Sequence, residues 1–296
     1  MRIVSLLPSA TEIVYALGLE DSLVGVTHEC DWPPGAANKP QVSVSALPES
    51  ASPAEVDRLV SSSIEGGEPI YKLDEFTVQE LQPDLVLTQD LCAVCAVPSG
   101  HVTEALEVIG CNAEVVSLDP SSLDEVLECI KRVGEVTGRE RQASTVLRSL
   151  QQRLEVITQL VAGRARPRTF ALEWSDPPFN GGHWVPDMIG VAGGDAVLAS
   201  PGTPSVRVTW EQIADATPEV VVFMPCVYDV EAACNEGTLL LGRPELADTR
   251  DFFAVDASAY FSRPGPRLVD GVEILASLLH PAVVGPHDPL GARRLG

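Results

Sequence analysis

The feature that most constrains this chain is a strand–helix alternation that stops and later starts again. RIVSLL (2–7) reads as a strand, Pro8 and Ser9 turn it into a helix, and SLVGVT (22–27) reads as the next strand. Residues 55–65 read as a helix, and LQPDLVLTQ (81–89) contains a strand. A helix capped by Ser99 runs to Gly110, and AEVVSL (113–118) is one more strand. From Ser122 to about Gly163 the strand signal vanishes. SLDEVLECIKRVGEVTG has helical periodicity there, and RERQASTVLRSLQQRLEVITQLVAG is a second, longer helix. At 1.5 Å per residue, its roughly 24 residues span about 36 Å. After Pro167 the alternation resumes with TFALEW (169–174), a helix near 186–192, EVVVFM (219–224), FFAVDA (252–257) and a helix from Arg267 to Leu279.

Strands separated by helices layer into parallel α/β sheets. Two such stretches around a strandless segment predict two Rossmann-like lobes joined by a long backbone helix. The expected boundaries are residues 1–120 for the first lobe, 121–165 for the bridge and 166–280 for the second lobe, with a Pro/Gly-rich loose tail over 281–296. Local signals agree. Ser9-x-x-Glu12 has capping-box spacing, and Gly18 closes the same helix. The lobes also echo each other: TVQELQPDLVLTQDLC (77–92) and WEQIADATPEVVVFMPC (210–226) each give a helix, a proline followed by an acid, a short apolar run and soon after it a cysteine. Parallel strands present their C-terminal ends to one edge, so a ligand is expected in the cleft between the lobes, at those ends.

Composition removes several function classes. Apolar residues at 45% and charged residues at 21% describe a soluble globular chain. Forty-two acids against 20 bases leave a net charge of -22, which opposes phosphate binding and excludes a nucleic-acid partner. The acidity does suit docking on a basic partner. No apolar run is long enough to insert in a membrane. MRIVSLLPSATEIV lacks an apolar core followed by a small-residue cleavage site, so the chain as written is expected to be cytoplasmic, or exported only if a leader was removed. Seven cysteines, an odd number, fit a reducing compartment better than a disulfide framework. Enzyme templates are missing: there is no GxSxG elbow, P-loop or HExxH, and Gly193-Gly194 has no GxGxxG context.

The runs PSATEIVYALG (8–18), VGVTHECDWP (24–33), TQDLCAVCAV (88–97) and EWSDPPFNGGHWVPDMIGVAGG (173–194), with WEQI and MPC, together resemble the vitamin B12/iron-siderophore periplasmic-binding family. More narrowly they resemble its leaderless, cobalamin-binding branch, over about residues 2–280. The resemblance implies the class III substrate-binding architecture, with little hinge motion. It also implies a cobalamin-like corrinoid or other metal chelate in the cleft and, in transport members, lobe-surface Glu residues docking on an ABC permease.

In that architecture the strand-end positions and the loops at the cleft become the candidate site. For ligand binding they are Ser9, Trp32, Asp90, Glu173, Trp174, His183, Trp184 and Tyr260. Three of the four Trp fall there, and broad flat rings suit a macrocycle face. Glu173 and Asp176 bracket Trp174 and can bind amide side chains or simply form a turn. Cys30, Cys92, Cys95 and Cys226 also follow strands, whereas Cys111, Cys129 and Cys234 do not. A single strand-end cysteine is as readily packing as chemistry. Four together raise a thioredoxin-like pair, a zinc site or an iron–sulfur cluster as alternatives. Two function readings result: a protein that binds a corrinoid without chemistry, or a cytoplasmic enzyme on the same scaffold with a Cys-ligated metal or iron–sulfur cluster.

Overall fold

Short apolar runs, each bounded by a proline, a glycine or a capping acid, set the elements of both halves. The computed structural model describes residues 1–45, 53–66, 70–90, 99–286 and 291–296. The chain divides into two α/β units, Met1–Asp119 with Leu127–Leu147, and Pro120–Val126 with Arg148–Gly296.

Unit 1 holds β1 (Ile3–Ser5), α1 (Pro8–Ala16), β2 (Leu23–Val26), β3 (Ser43–Ser45), α2 (Pro53–Gly66), β4 (Tyr71–Leu73), α3 (Glu75–Leu81), β5 (Leu85–Thr88), α4 (Ser99–Val108) and β6 (Glu114–Ser117). Its main sheet runs β2-β1-β5-β6, all parallel, and β3 pairs with β4 as a separate antiparallel ladder. That small ladder was invisible in the sequence, since three-residue strands carry too little alternation to read. Val4, Leu6 and Val86 pack against Val78, Val102 and Leu106, so α3 and α4 cover the sheet.

The start of α1 differs from expectation. Pro8 occupies the first turn and extended Leu7 takes the N-cap position with no side-chain cap. Proline's fixed φ preorganises the first helical position, so the helix begins one residue early and Ser9 and Glu12 lie inside it, buried. No capping box forms. Gly18, at φ 68, does close the helix, in the left-handed geometry that glycine adopts without strain.

Two helices bridge the units. α5 (Leu123–Val136) has its first turn in unit 2, where Leu123 N–H donates to Asp187 at 3.1 Å, and the rest in unit 1. α6 (Glu140–Val161) runs 22 residues and passes from unit 1 to unit 2 after Leu147.

Unit 2 continues with β7 (Arg168–Ser175), β8 (Pro178–Asn180), α7 (Val185–Val191), β9 (Asp195–Ala196), α8 (Trp210–Asp215), β10 (Val220–Phe223), α9 (Val230–Leu240), β11 (Asp251–Val255), α10 (Ala257–Tyr260), α11 (Leu268–Leu279), α12 (Pro281–Val284) and β12 (Ala292–Arg294). The sheet order is β12-β11-β10-β7-β8, with β9 also on β7. β7, β10 and β11 are parallel, and β8 and β12 are antiparallel edges. Alternate residues Phe170, Leu172, Val221, Phe223, Phe252 and Ala254 form one core face. Ala171, Val220, Val222, Phe253 and Val255 are buried on the other, as expected when helices cover both sides of a parallel sheet.

The closing residues correct the loose-tail expectation. Ala292, Arg293 and Arg294 pair with Val255, Ala254 and Phe253, covering an edge of β11 that would otherwise expose unpaired backbone groups. Arg294 also reaches Asp251 at 2.8 Å. Pairing, with one buried residue at Ala292, outweighs a composition that reads as coil.

Candidate functional site

In unit 2 the chemistry gathers where β7, β10 and β11 end, because parallel strands share one C-terminal edge. Glu173 is the centre of one network. Its Oε1 accepts from the Cys226 thiol at 3.2 Å, and its Oε2 accepts from the Ser205 hydroxyl. Ser205 Oγ in turn accepts the Gly182 N–H at 3.0 Å. Gly182 has to be glycine: a Cβ there would lie 2.2 Å from Ser205 N and 2.5 Å from Pro204 C, both rigid backbone. The next residue, His183, has a left-handed φ of 51 and donates its N–H to Thr203 O at 2.6 Å. Burial holds the His183 imidazole below its ordinary pKa, with the Glu173 charge partly offsetting it, so the ring is mostly neutral at pH 7.

A second network lies beside the first. Trp174 is half-buried and meets the Tyr228 ring edge-on, with centroids 6.1 Å apart and planes at 68°. Ser175 Oγ donates to Glu236 on α9. Burial, then the charge of Glu236 and a hydrogen bond to it, push the Tyr228 phenol up to about 12. Past β11, Asp256 caps α10 by accepting Ala259 N–H at 2.7 Å, and burial raises its carboxyl against that bond. Tyr260 ends α10, with the Arg267 guanidinium 5.9 Å from its ring.

Two tryptophans are held by strand pairing and by packing, and not by loops. Trp174 lies within β7, whose ladder with β8 extends past it, while Asp176-Pro177 forms the turn between the two strands. Trp184 is only 7% exposed, and its Nε1–H donates to Phe261 O at 2.8 Å. That ring packs unit 2. Of the expected residues, unit 2 therefore brings Glu173, His183 and Cys226 together and sets Trp174 next to them in sequence. Ser205, Tyr228 and Glu236 were missed. Tyr228 follows a strand end and could have been found by that rule; Ser205 and Glu236 carry no sequence signal.

Unit 1 has a different edge. Ser9 is buried in α1, and Cys30, also buried, sits 3.0 Å from Thr11 Oγ1 on that helix. Glu29 accepts from Tyr71 OH at 2.8 Å, and the His28 ring lies 5.2 Å from the Tyr71 ring. Trp32 is 44% exposed. Asp90 accepts from Ser99 N at 2.7 Å, Ser99 Oγ at 2.6 Å and Ser117 Oγ at 3.3 Å. Burial pushes its carboxyl up, but these hydrogen bonds win and hold it below the ordinary value. The cap of α4 thus comes from Asp90, with Ser99 as the capped residue.

Cys92 and Cys95 lie outside the described residues. The two other thiols of the expected set each meet a neighbour of their own unit, Thr11 for Cys30 and Glu173 for Cys226. Among the described residues, no group of three or more His, Cys, Asp and Glu side chains could hold a metal ion. Cys129 is buried on α5, as core packing. No helix among the described residues is long and apolar enough to cross a membrane.

The chain is 25% identical over 285 residues to the vitamin B12-binding protein of Vibrio cholerae, covering 94% of this chain and 88% of the relative. It is 27% identical over 286 residues to YvrC of Bacillus subtilis, an uncharacterised ABC transporter substrate-binding lipoprotein, covering 95% and 80%. A periplasmic heme-binding protein of Pseudomonas aeruginosa superposes with a TM-score of 0.72 at 22% identity, over 99% of this chain and 97% of the other. At that identity the likeness speaks for fold, and the fold is the class III one expected from sequence. The family model for periplasmic binding proteins matches residues 3–249. Two α/β units, each with parallel strands at its centre, and a family-model match over residues 3–249 make this chain a member of the periplasmic binding protein family.

Proposed function

We propose that this protein binds a metal chelate, a cobalamin-like corrinoid first of all, on residues that follow its strand ends, and does no chemistry on it. The observation that carries the reading is Trp174, a flat ring held half-buried one residue from a carboxylate fixed by two protein donors. A macrocycle offers a broad apolar face and a polar rim. Trp174 supplies area for the face. Glu173 has lone pairs left after its two bonds and can accept amide N–H groups at the rim. His183, mostly neutral at pH 7, offers a nitrogen to the rim or to the metal. Vitamin B12 and heme, named for two of the similar proteins, share this chemistry.

The same reading implies an ABC permease as partner, in line with the Bacillus relative. The descriptions of the relatives, lipoprotein and periplasmic, favour export over the cytoplasmic address expected above. Among the described residues nothing favours the thiolate-metal enzyme: Cys226 meets a carboxylate and Cys30 a hydroxyl.

Calorimetric titration with cyanocobalamin, and separately with hemin, is the test. Trp174→Ala should weaken binding by about 1 to 3 kcal/mol, roughly tenfold to a hundredfold in Kd, with the fold retained. No binding heat with either chelate at tens of micromolar protein would end the proposal.

A further inference from the structure

The wall that carries Trp174 is held from behind by a residue that no strand-end rule would select. Glu236 lies in the middle of α9, facing the sheet, and Asp229 fixes the start of that helix by accepting Ala232 N–H at 2.8 Å. Gly237 lets α9 sit close: a Cβ there would lie 2.6 Å from Leu295 and 3.0 Å from Phe223. The close approach brings the neighbouring Glu236 to the end of β7, where it accepts from Ser175 Oγ. It also accepts from the Tyr228 phenol, which burial and this carboxylate keep protonated and therefore donating. Tyr228 is itself pinned at the backbone: its N–H donates to Pro225 O at 3.1 Å and its carbonyl accepts from Ser258 N at 3.0 Å. The edge of its ring then meets Trp174.

We infer that Glu236 is a positioning residue for the binding wall, fixing the Trp174 ring through Tyr228 and through Ser175, the residue next to Trp174 in β7. Resting on the chelate reading above, this assigns to α9 the preorganisation of the one flat surface that reading uses. A ring already fixed loses less freedom on binding, which is where such a residue contributes affinity. The charge matters less than an acceptor oxygen at this place, since one carbonyl oxygen has two lone pairs and can accept from both hydroxyls. Gln keeps one acceptor and most of the shape; Ala keeps neither.

The experiment uses the full chain labelled with 5-fluorotryptophan, which gives one ¹⁹F resonance for each of its four Trp. Trp174→Phe assigns the resonance of interest. Glu236→Ala should shift and broaden that resonance while the other three hold, and should weaken cyanocobalamin binding roughly tenfold through lost preorganisation. Glu236→Gln should recover most of both effects. Tyr228→Phe, which removes a single oxygen, should move the Trp174 resonance in the same direction by less. Glu231→Ala, on the exposed face of the same helix, should change nothing. An unchanged Trp174 resonance in Glu236→Ala overturns the inference, and so does a uniform loss across all four resonances that Gln fails to rescue. A shifted Trp174 resonance in a protein that binds neither cyanocobalamin nor hemin would uphold the positioning role and sink the ligand reading instead.

Discussion

The segments 74–90 and 209–226 are built alike up to their last strand residues and then part. Each begins with a side-chain cap, Asp74 accepting Thr77 N–H in one and Thr209 accepting Gln212 N–H in the other. Each helix ends in a non-glycine residue at φ 43, Gln82 and Thr217, immediately before a proline. The acid after the proline does the same work twice. Asp84 accepts the N–H of Arg2 at 2.6 Å, and Glu219 accepts that of Arg168 at 3.0 Å. Both arginines return a side-chain bond to the end of the helix, to Leu81 O and to Ala216 O. Beyond the strands the described residues part. Asp90 turns back to cap α4, whereas Cys226 and Tyr228 go on to meet Glu173, Glu236 and Trp174. The lesson is that the base of each unit is set by local backbone chemistry, and the strand-end edge by whichever distant element arrives there.

Four measurements can break or sharpen that contrast. The largest effect should come from the edge tryptophans. Trp184→Ala should cost about 3 to 5 kcal/mol in chemical unfolding, because a buried, hydrogen-bonded ring is lost. Trp32→Ala, at an exposed site in unit 1, should stay within about 0.5 kcal/mol. Equal costs would erase the difference between the edges.

Gly182→Ala should come next, destabilising by about 1 to 3 kcal/mol, since its Cβ meets backbone that cannot move aside. The same variant should lose chelate binding in calorimetry by breaking the Ser205–Glu173 bond. Full retention of both would mean that the two loops part without cost.

Asp90→Ala should remove about 1 kcal/mol, the usual worth of a helix cap. This term also has a pH signature. The folded carboxyl is held below its ordinary value of 3.8, so its contribution is complete above that pH and lost as pH falls through the folded value. The gap between wild type and Asp90→Ala, followed by thermal unfolding from pH 7 downward, should therefore close in acid. A gap that persists at pH 2 would assign the loss to packing.

The smallest effect probes the shared base. Gln82→Gly and Thr217→Gly should each stabilise by about 0.5 to 1 kcal/mol, the relief of a left-handed side-chain residue less the entropy glycine adds to the unfolded chain. Equal gains uphold the likeness of the two segments, and a loss at either site breaks it.

By itself the sequence determined the α/β layering, the two helices α5 and α6 of the strandless stretch, and the repeated helix–Pro–acid–strand segment. These rest on short-range rules: period, proline φ, capping and short apolar runs. The strand-end positions of Glu173, Cys226 and Asp90 were legible for the same reason, as the ends of strands with a readable apolar run, whereas His183 follows β8, a three-residue strand with no such signal. Trp174 and Trp184 were legible as residues near an edge, but not that a ladder with β8 extends past one and that the other packs the unit. Only the tertiary structure decided what each edge residue touches. Ser205 and Glu236 lie 32 residues beyond Glu173 and 61 beyond Ser175 respectively, and reach them by loop approach and helix packing. The close seat of α9 at Gly237, the edge pairing of residues 292–294 and the early start of α1 at Pro8 likewise come from atoms meeting across the fold or at a helix end. Such contacts depend on where whole elements pack against one another, a geometry that no window of neighbouring residues contains.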